Sequence, residues 1–144
     1  MQIKKEQIYK TVSNRKLHLE LYPTSVNAGF PSPAEDHIDI GLDLNEYLVK
    51  HESSTFYIYV KGSSMINAGI YDGDLIIVDR SLEPRSNNIV LAVIDGEFTI
   101  KKIQKKNNTI YLMPDNKDYN PILINDNMDF QVWGVVVHSI RSYR

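Results

Sequence analysis

From about residue 54 onward the chain alternates apolar and polar positions in short runs, broken by turn-forming residues. S-T-F-Y-I-Y-V-K covers 54–61, D-L-I-I-V-D covers 74–79 and N-I-V-L-A-V-I covers 88–94. E-F-T-I-K-K-I-Q at 97–104 and T-I-Y-L-M-P at 109–114 follow, and D-F-Q-V-W-G-V-V-V-H-S-I at 129–140 is long enough to bend at Gly134. Short runs of this kind at regular spacing predict an all-β body, barrel-like or sandwich-like. Asp95-Gly96, between two of the runs, predicts a tight hairpin. One short helix is predicted at about Leu44–His51. Asp43 serves as its N-cap, Glu46 stands three positions on, and Leu44, Tyr47 and Leu48 share a face.

Ahead of this body the pattern weakens. Residues 1–26 are mixed, although K-L-H-L-E-L-Y alternates at Leu17, Leu19 and Leu21 and predicts a short strand. The stretch N-A-G-F-P-S-P-A-E-D, 27–36, is small and proline-spaced. Pro31 and Pro33 oppose helix and favour an extended path. The plain reading is a linker, and the sharper one is a substrate that the rest of the chain cuts. The 28 residues before that joint are too few for a complete helix-turn-helix. There is no internal repeat and no low-complexity tract.

Composition narrows the class. A length of 144 residues suits one domain, and 42% hydrophobic with 24% charged residues is ordinary for a soluble globular protein. The chain has no cysteine, which excludes disulfides, a thiol nucleophile and thiolate metal sites. The start M-Q-I-K-K-E-Q-I-Y-K lacks the apolar core of a secretory leader. No run approaches the roughly 18 apolar residues of a membrane span. The expectation is a cytoplasmic protein without a membrane anchor. Charge is uneven: residues 1–28 hold five Lys and Arg against two Glu, giving +3, so the rest carries −5 of the net −2. An acidic body argues against a dedicated nucleic-acid binder.

Candidate chemistry sits in V-K-G-S-S-M-I-N-A-G-I, 60–70. Gly62 allows a sharp turn that presents Ser63 and Ser64 beside backbone N–H groups, as an oxyanion hole requires. A serine nucleophile needs a base. His18, His37, His51 and His138 are available, but no G-x-S-x-G elbow accompanies them. A triad assembled from distant positions stays open. The other base is a lysine. Its ordinary pKa of about 10.4 leaves it protonated, and burial lowers that value. Lys101 and Lys102 lie in an apolar run on opposite strand faces, one with Thr99 and Ile103 and the other with Phe98 and Ile100.

Four motifs in order, A-G-F-P-S-P-A at 28–34, G-S-S-M-I at 62–66, Y-D-G-D-L-I-I-V-D at 71–79 and D-G-E-F-T-I-K-K at 95–102, resemble the UmuD-type proteins of the LexA-like self-cleaving serine peptidase family. P-D-N-K-D-Y-N-P-I at 114–122 and V-W-G-V-V-V at 132–137 are similar to the family's later strands, so the resemblance runs colinearly over about 28–144. It implies a mainly β fold: a LexA- and signal-peptidase-like twisted β body with one short helix and a flexible N-terminal arm. It also implies Ser64 as nucleophile, Lys101 as general base, and self-cleavage at Ala28-Gly29. That cut separates an arm, 1–28, from a domain, 29–144. Ser63 departs from the family, whose members often carry Asp there. Alanine at 28 replaces the cysteine of UmuD, but Ala-Gly is the usual bond in LexA-type repressors. No cofactor and no metal are implied.

The function implied is that of an SOS-response mutagenesis protein. The RecA filament on single-stranded DNA triggers the cut, and the shortened homodimer supports a UmuC-like Y-family polymerase in translesion synthesis. No sequence-specific DNA binding is implied. The alternatives are a repressor-type protein of the LexA fold, a general peptidase, and a non-catalytic interaction module.

Overall fold

In the computed structural model the described residues are 2–3, 8–10, 19–20, 28–29 and 41–144. They contain eleven strands: β1 (Gln2–Ile3), β2 (Ile8–Lys10), β3 (Leu19–Glu20), β4 (Gly41–Leu42), β5 (Thr55–Tyr59), β6 (Leu75–Asp79), β7 (Ile89–Ile94), β8 (Glu97–Lys106), β9 (Thr109–Met113), β10 (Ile122–Leu123) and β11 (Phe130–Ile140). One α-helix, α1 (Leu44–Leu48), and two single 3₁₀ turns, Glu52–Ser54 and Ile66–Ala68, complete them. The chain divides into two units, residues 1–11 with 51–144, and residues 12–50.

In the larger unit nine of the described strands form one sheet, ordered β10-β9-β8-β7-β11-β6-β5-β2, with β1 pairing β8 off this path. Every strand pairing described in it is antiparallel. Local chemistry explains the two tightest links. Ile94 faces Glu97 across Asp95 and Gly96, whose φ values of 50° and 83° are both positive. That is the left-handed pair a two-residue hairpin demands. Asn107 and Asn108, φ 51° and 64°, join β8 to β9 in the same way, because asparagine tolerates this region better than most residues.

β11 serves two partners: Phe130–Val135 pair with β7 and Val135–Ile140 with β6. Its register shifts between Val132 and Gly134, the bend that the sequence predicts. A Cβ on Gly134 would stand 2.5 Å from Val78 Cγ1, so the strands approach too closely there for any side chain. The core lies on both faces of the sheet. Ile58, Met65, Ile76, Val78, Leu91 and Ile100 belong to one buried cluster. Val90, Ala92, Ile103 and Leu112 belong to another. Strand alternation sends Leu91 one way and its neighbours Val90 and Ala92 the other.

In the smaller unit β3 pairs antiparallel with β4. Asp43 caps α1 through Oδ1, which accepts from Asn45 N at 3.0 Å. The helix ends at Leu48 rather than His51, since Val49 is already extended at φ −113°, ψ 105°. The apolar face expected of it is not buried: Leu44 and Tyr47 are more than half exposed. The extended path predicted around Pro31 and Pro33, and the ends of the alternation at Leu17 and Leu21, lie outside the described residues. No helix among the described residues is long and apolar enough to cross a membrane.

Candidate active site

β5 ends at Tyr59, and the chain then turns through Gly62, φ 98°. The Gly62 amide donates to Asp72 Oδ1 at 2.7 Å. Ser63 and Ser64 follow, and Met65 plugs into the core with 0% exposure. The loop is tied from outside. Asp115 N donates to Ser64 O at 2.8 Å, and Asn67 N donates to Asp115 O at 2.8 Å. Asn116 Nδ2 donates to Ser63 O at 2.8 Å. Two successive residues of the 114–122 segment therefore fix the two serine carbonyls.

The serines diverge. Ser64 is fully buried and Lys101 is 4% exposed. Lys101 Nζ lies 3.2 Å from Ser64 Oγ, 2.7 Å from Thr99 Oγ1 and 3.2 Å from Ile100 O. Ser63 instead meets the Tyr119 hydroxyl at 3.1 Å. Lys101 is set by strand geometry, because Val90 faces it across the ladder and Thr99 shares its face. β8 is an inner strand at this point, with β7 on one side and β9 joining from Lys102 onward. It is not the solvent edge that would let both lysines reach water. Lys102 remains about one-third exposed, with Nζ 3.4 Å from Asp115 Oδ2.

Desolvation lowers the Lys101 amine from 10.5 to about 8, since burial penalises its charged form. An ammonium has three donors, and Lys101 has three oxygen partners. When the proton leaves, two N–H groups still serve Thr99 Oγ1 and the Ile100 carbonyl. The lone pair can then face Ser64, whose hydroxyl can donate to it. The arrangement suits general-base activation of a serine.

Of the described histidines, His51 is arranged otherwise. His51 Nδ1 meets Asp79 Oδ2 at 2.5 Å, and Ser54 and Ser81 bond the other oxygen of that carboxylate at 3.1 and 2.6 Å. These serines meet the carboxylate, whereas a triad sets the serine on the imidazole. His18 and His37 lie outside the described residues. Among the described residues no group of three or more His, Asp or Glu is placed to hold a metal ion.

A cleft of about 390 Å³ opens beside Lys101, lined among others by Phe98, Thr99, Tyr119, Asn120 and Ile122. Ala28 and Gly29 are exposed, and a Cβ on Gly29 would meet nothing within 4 Å. They belong to the other unit. Sequence reasoning alone missed the roles of Thr99, Asn116 and Tyr119. Thr99 had a legible signal, the T-x-K spacing that puts it on the face of Lys101.

Residues 20–137 match the family described as Peptidase S24-like. The chain is 41% identical to Protein MucA of Salmonella typhimurium over 138 residues, covering 94% of each protein. It is 41% identical to Protein SamA of the same species over 125 residues, 85% of this chain and 86% of SamA. It is 39% identical to the LexA repressor of Clostridium perfringens over 118 residues, 82% of this chain and 57% of that repressor.

Proposed function

The chain belongs to the Peptidase S24-like family, and from that premise we propose that it is a self-cleaving serine peptidase with Ser64 as nucleophile and Lys101 as general base. One observation carries this reading: a buried amine 3.2 Å from a buried serine hydroxyl. The bond cut is Ala28-Gly29. Small residues there suit an extended segment entering a narrow cleft, and Gly29 minimises steric conflict beside the nucleophile.

Neutral Lys101 takes the Ser64 proton as Oγ attacks the Ala28 carbonyl carbon. The Ser64 amide stabilises the oxyanion. The C–N bond breaks, and Lys101 returns its proton to the Gly29 amine. Water then attacks the Ala28 ester, Lys101 removes its proton, and Ser64 regains a hydroxyl. The products are 1–28 and 29–144. This chemistry needs no cofactor.

Similarity to MucA and SamA supports placing the protein among the UmuD-type mutagenesis proteins of the SOS response. In this reading it is a cytoplasmic homodimer, cut when it meets the RecA filament on single-stranded DNA. The processed form then assists a UmuC-like Y-family polymerase in translesion synthesis. Intact mass after incubation with the filament at neutral pH tests the trigger. A fragment beginning at Gly29 that forms much faster with filament than without it supports the trigger. A chain that stays whole with filament but cuts itself in alkali would contradict this trigger and keep the chemistry.

A further inference from the structure

Five described residues of the arm, Gln2–Ile3 and Ile8–Lys10, form part of the main sheet. β2 pairs with β5 in the register Ile8↔Ile58, Tyr9↔Tyr57 and Lys10↔Phe56, and it ends the strand order of the sheet. Ile8 packs against the core cluster that holds Ile58 and Met65. The Tyr9 ring stands edge-on to Tyr59, centroids 6.1 Å apart. Both rings are about half exposed, at 51% and 49%. All of these arm residues precede Ala28.

We propose that self-cleavage uncovers the β5 edge as a docking strip for an extended segment of a protein partner, which takes the place of Ile8–Lys10. The proposal rests on the cut at Ala28-Gly29 inferred above. While the chain is whole, the tether keeps β2 at an effective concentration on the order of millimolar. The arm's other described pairings are shorter still, Gln2↔Thr99 and Ile3↔Phe98 on β8, and Leu19↔Leu42 and Glu20↔Gly41 on β4. Seven paired residues in three short pieces, among the described residues, do not hold a free peptide at micromolar concentration, because isolated short strands are marginal in water. After the cut the arm leaves. The backbone groups of β5 that faced it lose their partners, and an unpaired edge is a template for another strand. The vacated positions define what fits. An apolar side chain must replace Ile8 over the core, and an aromatic one next to it must meet Tyr59.

The test separates this from the cleavage chemistry by using full-length Ser64→Ala, which the reading above keeps uncut. Hydrogen exchange is followed over Phe56–Ile58 in this chain, in Ser64→Ala with Ile8→Asp, and in the self-cleaved wild type. Emission from the single tryptophan, Trp133, which packs edge-on to Phe56 and Phe98, checks that each is folded. The β5 amides facing the arm should exchange at least about tenfold faster in the latter two. A synthetic peptide of residues 5–13, at millimolar concentration, should restore slow exchange in both. The Ile8→Asp chain reports the edge even where self-cleavage fails, so failure of the cut and failure of the edge are read separately. Equal exchange in all three chains, or fast exchange that the peptide does not slow, overturns the proposal. So does protection in Ser64→Ala that falls on dilution, since that would put a second copy's arm on the edge.

Discussion

Lys101 Nζ and Ser64 Oγ, 37 positions apart in the chain, stand 3.2 Å from each other in a pocket that buries both side chains. A protonated amine cannot accept the serine proton. The account therefore predicts a self-cleavage rate that follows the neutral form of Lys101. With the amine lowered to about 8, the neutral fraction rises from about a tenth at pH 7 to about nine-tenths at pH 9. The first-order rate should climb about tenfold over that range and then level off. A rise that continues to a midpoint near 10.5 would show an unshifted lysine.

The same shift acts on stability. The folded-state pKa lies below the unfolded one, so between about 8 and 10.5 the unfolded chain binds more protons. Stability from this group therefore rises with pH through that window and is lowest below it. In the uncut Ser64→Ala background, adding Lys101→Met removes the ammonium penalty. The stability gap between the two chains should narrow as pH rises from 8 to 10.5, measured by urea unfolding.

Ser63 gives a control beside the proposed nucleophile. Its hydroxyl meets Tyr119 at 3.1 Å, so Ser63→Ala should leave the alkaline cleavage rate within about threefold, the scale of one modest hydrogen bond. Loss of all cleavage in Ser63→Ala with retention in Ser64→Ala would reverse the assignment.

Thr99 positions the amine, with Oγ1 2.7 Å from Nζ. Thr99→Val should lower the plateau rate about tenfold and move the pH midpoint down, because the ammonium loses an acceptor. Thr99→Ser should restore both. A variant that merely loosened the fold would lower the rate without moving the midpoint.

Much of this site was legible in the sequence, for identifiable reasons. Alternation marked the main strands, and Asp95-Gly96 marked a hairpin that the positive φ values bear out. Strand parity put Thr99 and Lys101 on one face, but parity cannot say which face is buried. That depends on β7 and β9 flanking β8, which is tertiary information. The two-residue β10 and the arm strands β1 and β2 are too short to show a period, so pairing creates them. α1 stops three residues early because Val49 adopts an extended backbone where the polar face pattern alone would continue. Tyr119 and Asn116 act through a loop crossing about 53 to 56 positions, a relation that no local pattern encodes.

Gly134 carries a stability prediction away from the chemistry. An added Cβ would meet Val78 Cγ1 at 2.5 Å and Arg80 Cγ at 3.3 Å. Gly134→Ala should cost about 1–3 kcal/mol by urea unfolding. Paired with Val78→Ala it should cost less than the sum of the single changes, since the two share one space. Strict additivity would place the strain elsewhere.

Intact mass after incubation at pH 9–10, for wild type, Ser64→Ala and Lys101→Ala, tests the central claim most directly. The account predicts a fragment beginning at Gly29 from wild type alone, with both variants whole. Cleavage at Ala28-Gly29 that persists in Ser64→Ala or in Lys101→Ala, or a wild type that stays whole at every pH and with the RecA filament, would contradict it.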